Sequence, residues 1–336
     1  MKLDSRSLKS AAGNALAHAP CDPKRLVLIH AGVMALAGLL VTVASYLIQL
    51  RIDSTGGLGG ISQRSILSTI ESMLQLGHLA LLPFWQVGYI AVSISLYRGQ
   101  QADTNTLCSG FTRFGPLLRL YLLQLLIFGG ILIGSSYLSS YLYMMTPWGM
   151  KLMQMTMQAM EQSGSMELDD ATLESLMSYS LPMTIIGTVI FLIVAVPLFY
   201  RFRLSQYIIM DSPDNSARRA MGLSGYAIHG SRFSMFKLDL SFWWYYLISA
   251  LISVTAYADL ILAAIGVELP GNPALQFFIP YLLYLVLQLG FSLWQQNRVA
   301  VTYAAAYEAL IQPHQTKEEP QPKPKNLPWN DPMQQE

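Results

Sequence analysis

The side chains that could do chemistry in this chain are few and widely spaced. His78 and Asp259 both fall inside long apolar runs, where an ionisable pair would mark a proton or ion pathway. Asp259 follows Tyr257 in the far half of its run, close enough to the end to sit at a solvated interface instead. Asp211, His229 and Asp239 gather at one boundary between polar and apolar sequence. A carboxylate beside an imidazole there could act as a general base toward a lipid headgroup, although no spacing requires the three to converge. Seven methionines between Met144 and Met160 offer soft thioethers of the kind that bind Cu(I). That stretch holds no cysteine or histidine, and methionine also covers irregular apolar surface, so packing is the expected role.

The remaining candidates exclude themselves. Cys21 and Cys108 match no metal-ligand spacing and read as free thiols. The cluster from Gly56 to Gly60 is followed by no Lys-Ser/Thr pair and preceded by no strand, so it is not a phosphate cradle. We expect no catalytic, cofactor-binding or metal-binding residues, hence no enzyme and no cofactor.

The elements that would position these side chains are membrane-length. Of 336 residues, 53% are hydrophobic and 12% charged, about half the charged share of a soluble domain. Apolar runs over 26–50, 73–97, 117–145, 181–200, 242–265 and 276–296 are each expected to cross about 30 Å of hydrocarbon as a helix. Gly32, Ala35 and Gly38 in the first would let another helix approach closely, and Pro83, Pro197 and Pro280 could kink or break theirs. His30, one turn inside the first run, reads as an interfacial histidine. Eighteen of the 21 lysines and arginines fall in segments that would share one side: the N-terminus, 98–119, 201–237 and the C-terminal part from Arg298. Positive charge stays inside, which predicts six spans with both termini cytoplasmic. A net charge of +1 gives no global field to recruit nucleic acid. Three regions follow: a cytoplasmic segment 1–25 containing a short interfacial helix from Ser5, a membrane domain 26–310, and a disordered tail 311–336 rich in Pro, Lys, Glu and Gln.

The stretch from Gln206 to Trp244 is the most informative connection. Asp211-Ser212-Pro213 reads as a helix start, with Ser212 as cap and Pro213 in the first turn. Ala217, Ala220, Met221, Ser224 and Ile228 follow at helical spacing, and Gly230 can end that helix. Lys237-Leu238-Asp239-Leu240-Ser241-Phe242 then leads into the fifth span. Asp239 is expected to cap that span with Ser241 or to pair with Arg232, Arg218 or Lys237. A basic amphipathic helix entering an aromatic belt suits a segment lying on a cytoplasmic membrane face.

Those residues, with His229-Gly230, Phe236 to Phe242 and the closing Tyr303 to Leu310, carry a resemblance. The chain is similar to a bacterial family of integral membrane proteins known as a domain of unknown function, number nine-seven-five. The Met-rich segment and the turn after the fifth span depart from the family's pattern. The resemblance implies a multi-span, all-α protein of the bacterial inner membrane and supplies no activity or catalytic residues. The expected fold is therefore an all-α polytopic membrane protein with a basic amphipathic cytoplasmic helix before its fifth span. The expected function is a non-enzymatic accessory, assembly or envelope-homeostasis role through protein or lipid contacts, with anionic lipids, a membrane-protein partner or a second copy as binding partners. A transporter or channel subunit for a small solute or ion is the alternative.

Overall fold

The computed structural model describes residues 4–54, 60–162, 170–212, 214–258, 261–262 and 272–315. Among these the chain is helical throughout, without strands. Its elements are α1 (Ser5–Ala17), α2 (Pro23–Ser54), α3 (Gly60–Tyr97), α4 (Thr104–Thr112), α5 (Phe114–Met144), α6 (Pro147–Gln162), α7 (Asp170–Phe202), α8 (Ser205–Asp211), α9 (Ala217–Ala227), α10 (Arg232–Leu240), α11 (Trp243–Thr255) and α12 (Pro273–Gln315). Five of them, α2, α3, α5, α7 and α12, are long and apolar enough to cross a membrane. The pair α10 and α11 passes the same test only together, with a bend of 55° between them, which makes a sixth span a broken one.

Local sequence explains the starts. Asp22 accepts from the Lys24 amide ahead of Pro23 at the first position of α2, where the missing N–H costs nothing. Asp4 caps α1 through the Arg6 amide. Asp103 and Thr106 form a reciprocal capping box on α4. Pro83 lies within α3, and Tyr121 on α5 donates its hydroxyl to the Pro83 carbonyl at 3.3 Å, which ties the two helices together at that point.

The well-packed core sits at one end of the bundle. Phe84, Leu117, Ile209, Ile228, Leu238 and Tyr307 share a single buried cluster drawn from α3, α5 and α8–α10 against the last turns of α12. Leu26, Val27, Leu96 and Leu107 extend it beneath α1 and α4. Farther along, side chains such as Leu40, Leu126 and Ile193 face outward, as lipid-facing residues would. Glycine allows the closest approach within this end. A Cβ at Gly88 would overlap the Leu107 carbonyl, and one at Gly110 would overlap the Phe84 carbonyl, so α3 and α4 touch backbone to backbone.

Several expectations change here. Asp211-Ser212-Pro213 does not start a helix. Asp211 ends α8, Ser212 is its C-cap, and Pro213 lies outside the described residues. The next helix starts at Ala217, capped by Ser216, which accepts from the Arg219 amide. The buried face expected of it, with Ala217, Ala220, Met221 and Ser224, is present. Within the fifth run, expected over 242–265, α11 is a helix of 13 residues, about 20 Å at 1.5 Å per residue, and the chain is helical again at Ala258, Ile261 and Leu262. The connection expected over 51–72 is helical from Gly60, and that over 146–180 contains α6 and the start of α7. Met150, Met153 and Met157 on α6 are about half exposed. The tail beyond Gln315 and Asp259 lie outside the described residues.

Candidate functional site

Two polar constellations distinguish this molecule, and the first is an ionic layer at the packed end. Arg98, just past α3, donates to both oxygens of Asp211 at 2.5 and 2.9 Å and to Glu308 at 2.5 Å. Tyr307 also donates to Asp211, at 2.9 Å. Hydrogen bonding to Asp211 raises the Arg98 pKa above its already high ordinary value, with burial opposing. A planar guanidinium facing a carboxylate at two points fixes α8 and α12 against the end of α3. A second group lies alongside. Asp239 pairs with Arg203 and accepts from Tyr200 at 2.7 Å and Tyr303 at 2.5 Å. Because the Tyr303 hydroxyl spends its proton on Asp239, Tyr246 must be the donor in the 2.7 Å contact between the two tyrosines. Arg113 completes the layer by donating to the carbonyls of Ile209 and Met210.

These contacts revise the roles expected of Asp239, His229 and their neighbours. Asp239 lies within α10 and caps nothing, since α11 is preceded by Phe242 with no side-chain cap. Its cationic partner is Arg203, not Arg232, Arg218 or Lys237. Lys237 instead lies 4.7 Å over the Phe233 ring. His229 is exposed and forms no hydrogen bond to Asp239. Ser241 and Phe242 hold α1: Lys9 donates to the Ser241 carbonyl at 2.8 Å and lies 4.1 Å over the Phe242 ring. Ser224 Oγ bridges α7 and α8, accepting from the Leu204 amide at 3.1 Å and donating to the Arg201 carbonyl at 2.7 Å. Gly230 takes φ +81°, a conformation that favours glycine, and so turns the chain from α9 into α10.

The second constellation is a crevice of 330 Å³ among α2, α3 and α12, with Tyr245 of α11 at its side. Among the described residues its walls carry His30, His78, Gln86, Gln288, Ser292 and Gln296, and no lysine, arginine, aspartate or glutamate. Ala31, Ala35 and Gly38 keep the α2 wall low, and a Cβ at Gly38 would press the Tyr281 hydroxyl at 3.0 Å. From His30 to Gly38 the crevice follows the bundle for about 12 Å at 1.5 Å per residue.

One end of the crevice is firmly built. His30 is 5% exposed, stacked on Trp85 with ring centres 5.8 Å apart and tilted against Tyr89 at 4.6 Å. Trp85 donates to the His30 carbonyl at 3.1 Å. Below them Tyr89 donates to Asn297 at 2.5 Å, and Asn297 donates to the Pro23 carbonyl at 2.9 Å, which ties three helices together. The Gln296 amide lies 3.2 Å from His30 Nδ1; with the amide donating, Nδ1 is the acceptor and Nε2 carries the proton. That Nε2 is buried and meets no hydrogen-bonding partner among the described residues, and the same holds for Gln288 Oε1. A buried donor and a buried acceptor, each unmatched among the described residues, leave the crevice with unused hydrogen-bonding capacity.

His78, the candidate partner of Asp259 had the two met within the bundle, lines the far part of this crevice; Asp259 itself is outside the described residues. His30 was read as interfacial, and the structure buries it between two aromatic rings. The signal that identifies the crevice in sequence is the stripe Gln288, Ser292, Gln296, at steps of four along an otherwise apolar helix. No protein family, curated protein or solved structure matches this chain.

Proposed function

We propose that this is a multi-pass protein of the bacterial inner membrane, with both termini cytoplasmic, that admits a small, uncharged, hydrogen-bonding solute into the crevice as a transporter or channel subunit. The carrying observation is a polar crevice among three apolar helices in which His30 Nε2 and Gln288 Oε1 are buried without protein partners. Unmatched polar groups in a lipid-embedded bundle are costly, and a solute or water that accepts from the imidazole and donates to the carboxamide offsets that cost. The described walls carry no ionised side chain to hold an ion, so a neutral solute fits them better. The positive-inside distribution supports the orientation, and the resemblance to the domain-of-unknown-function family agrees with the location.

An accessory or assembly role is the second reading, favoured by the ionic layer. Arg98, Asp211, Glu308, Arg203 and Asp239 stiffen one face of the bundle into a surface that another protein could grip. A lipid-directed enzyme loses its constellation, because Asp239 is committed to Arg203 and two tyrosines.

Liposomes containing the purified protein test the first reading by their permeability to urea and glycerol in stopped-flow light scattering. Faster solute entry than in empty liposomes, abolished by His30→Phe with Gln288→Leu, is expected. Permeability equal to that of empty liposomes for both solutes would remove the reading and leave the accessory role.

A further inference from the structure

The arginines at the packed end divide into two groups. Arg98, Arg113 and Arg203 are each engaged by carboxylates or carbonyls. Arg201 and Arg232 have no ion-pair partner among the described residues, and both line one pocket of 370 Å³ together with His229, Tyr226, Gly222 and Gly225. No carboxylate lines it. Two guanidiniums and an imidazole around a single hollow make it a site for an anion, and planar guanidiniums suit phosphate oxygens in particular.

The pocket is built by three element ends. Arg201 is the penultimate residue of α7, and its carbonyl is held by Ser224, which lays α9 across the end of that helix. Gly225 makes room for the arginine itself: a Cβ there would meet Arg201 Nε at 3.0 Å and Cγ at 3.3 Å. The turn at Gly230, with φ +81°, then swings His229 and Arg232 to the same hollow. Gly222 leaves the floor open, since a Cβ there would meet nothing within 4 Å.

The position of the pocket says where its anion comes from. It lies where the apolar α7 ends, beside exposed aromatic side chains: Tyr226, which lines it, and Phe233, next to Arg232, are each 65% exposed. Aromatic rings at the end of an apolar helix mark the headgroup level of a bilayer. We infer that Arg201, His229 and Arg232 form a binding site for the phosphate of an anionic phospholipid, which seats α9 and α10 on the membrane.

The test titrates the full-length protein in neutral detergent with a short-chain phosphatidylglycerol or phosphatidylcholine and follows its melting temperature. The inference expects stabilisation by phosphatidylglycerol alone. Arg201→Gln with Arg232→Gln should raise the half-saturating lipid concentration by about tenfold or more. Arg218→Gln with Arg219→Gln removes the same charge from exposed positions on α9 that do not line the pocket, and should change it by less than about twofold. Gly222→Leu, which keeps every charge and projects a side chain into open space, should weaken binding as the pocket arginine pair does. That variant decides the matter if the arginine pair does not fold. Equal weakening by both arginine pairs would reduce the effect to diffuse surface charge and overturn the site. Lipid binding unchanged in Gly222→Leu would also overturn it. Inorganic phosphate that stabilises as strongly as the lipid and displaces it would assign the pocket to a soluble anion instead.

Discussion

Asp239 accepts from two tyrosine hydroxyls and one guanidinium, so its charge and both its oxygens are in use. Asp239→Asn keeps the shape but leaves Arg203 half-buried beside a neutral amide, which cannot serve three donors at once. Breaking such a pair from one side should cost about 3 kcal/mol. Tyr303→Phe removes two hydrogen bonds, one given to Asp239 and one accepted from Tyr246, and should cost about 2 kcal/mol. Melting in detergent checks both, and a wild-type melting temperature for Asp239→Asn would sink the structural role assigned to this carboxylate. The sequence marks Asp239 by its place at the mouth of an apolar run, but it cannot name Arg203 as partner. That choice depends on how α10 crosses the end of α7, and no local pattern records a crossing. His30 shows the same limit from the other side. A histidine one turn inside a span reads as interfacial until Trp85 and Tyr89, on a different helix, close over it.

At the scale of elements, the contact between α3 and α4 should be the least forgiving. Gly110→Ala sets a methyl group against the Phe84 carbonyl, backbone against backbone, and the helices must separate to admit it. The expected loss is about 2 kcal/mol, read as a lower melting temperature and faster proteolysis near α4. Gly115→Ala, whose added Cβ would meet nothing within 4 Å, should be neutral or mildly stabilising because alanine is the better helix former. Equal effects from the two would contradict the close-contact account. The long helices are legible in sequence because bilayer-length apolar runs have few other uses. Their ends are less so. Ser212 and Pro213 have the residue types of a helix start, yet the Asp211 carboxylate is taken by Arg98 and Tyr307, and the helix begins at Ser216 instead. A tertiary ion pair outweighs a local capping preference of about 1 kcal/mol. The break between α10 and α11 falls at Ser241 and Phe242, the expected start of the fifth run, and Asp239 and Phe242 on its two sides both meet Tyr303.

The whole molecule combines a tightly packed end, held by partly buried ion pairs and capped by α1 and α8–α10, with long helices whose outer faces are apolar and exposed. That division suits a bundle whose rigid end lies in the cytoplasm and whose crevice opens among the spans, and single-cysteine labelling tests both halves of the account at once. Ser292 lines the crevice midway along α12, and it is to be replaced by cysteine in a background carrying Cys21→Ser and Cys108→Ser. Exposed Cys108, restored alone, reports the side on which the packed end lies. In intact cells a bulky membrane-impermeant maleimide should leave Cys108 unmodified and label it once the cells are opened. A small water-soluble thiosulfonate should modify the cysteine at position 292 in native membranes, and His30→Phe or Gln288→Leu should slow that reaction. A position 292 that stays unreactive in membranes, while Cys108 labels normally, would mean that the crevice is dry and would contradict the central claim.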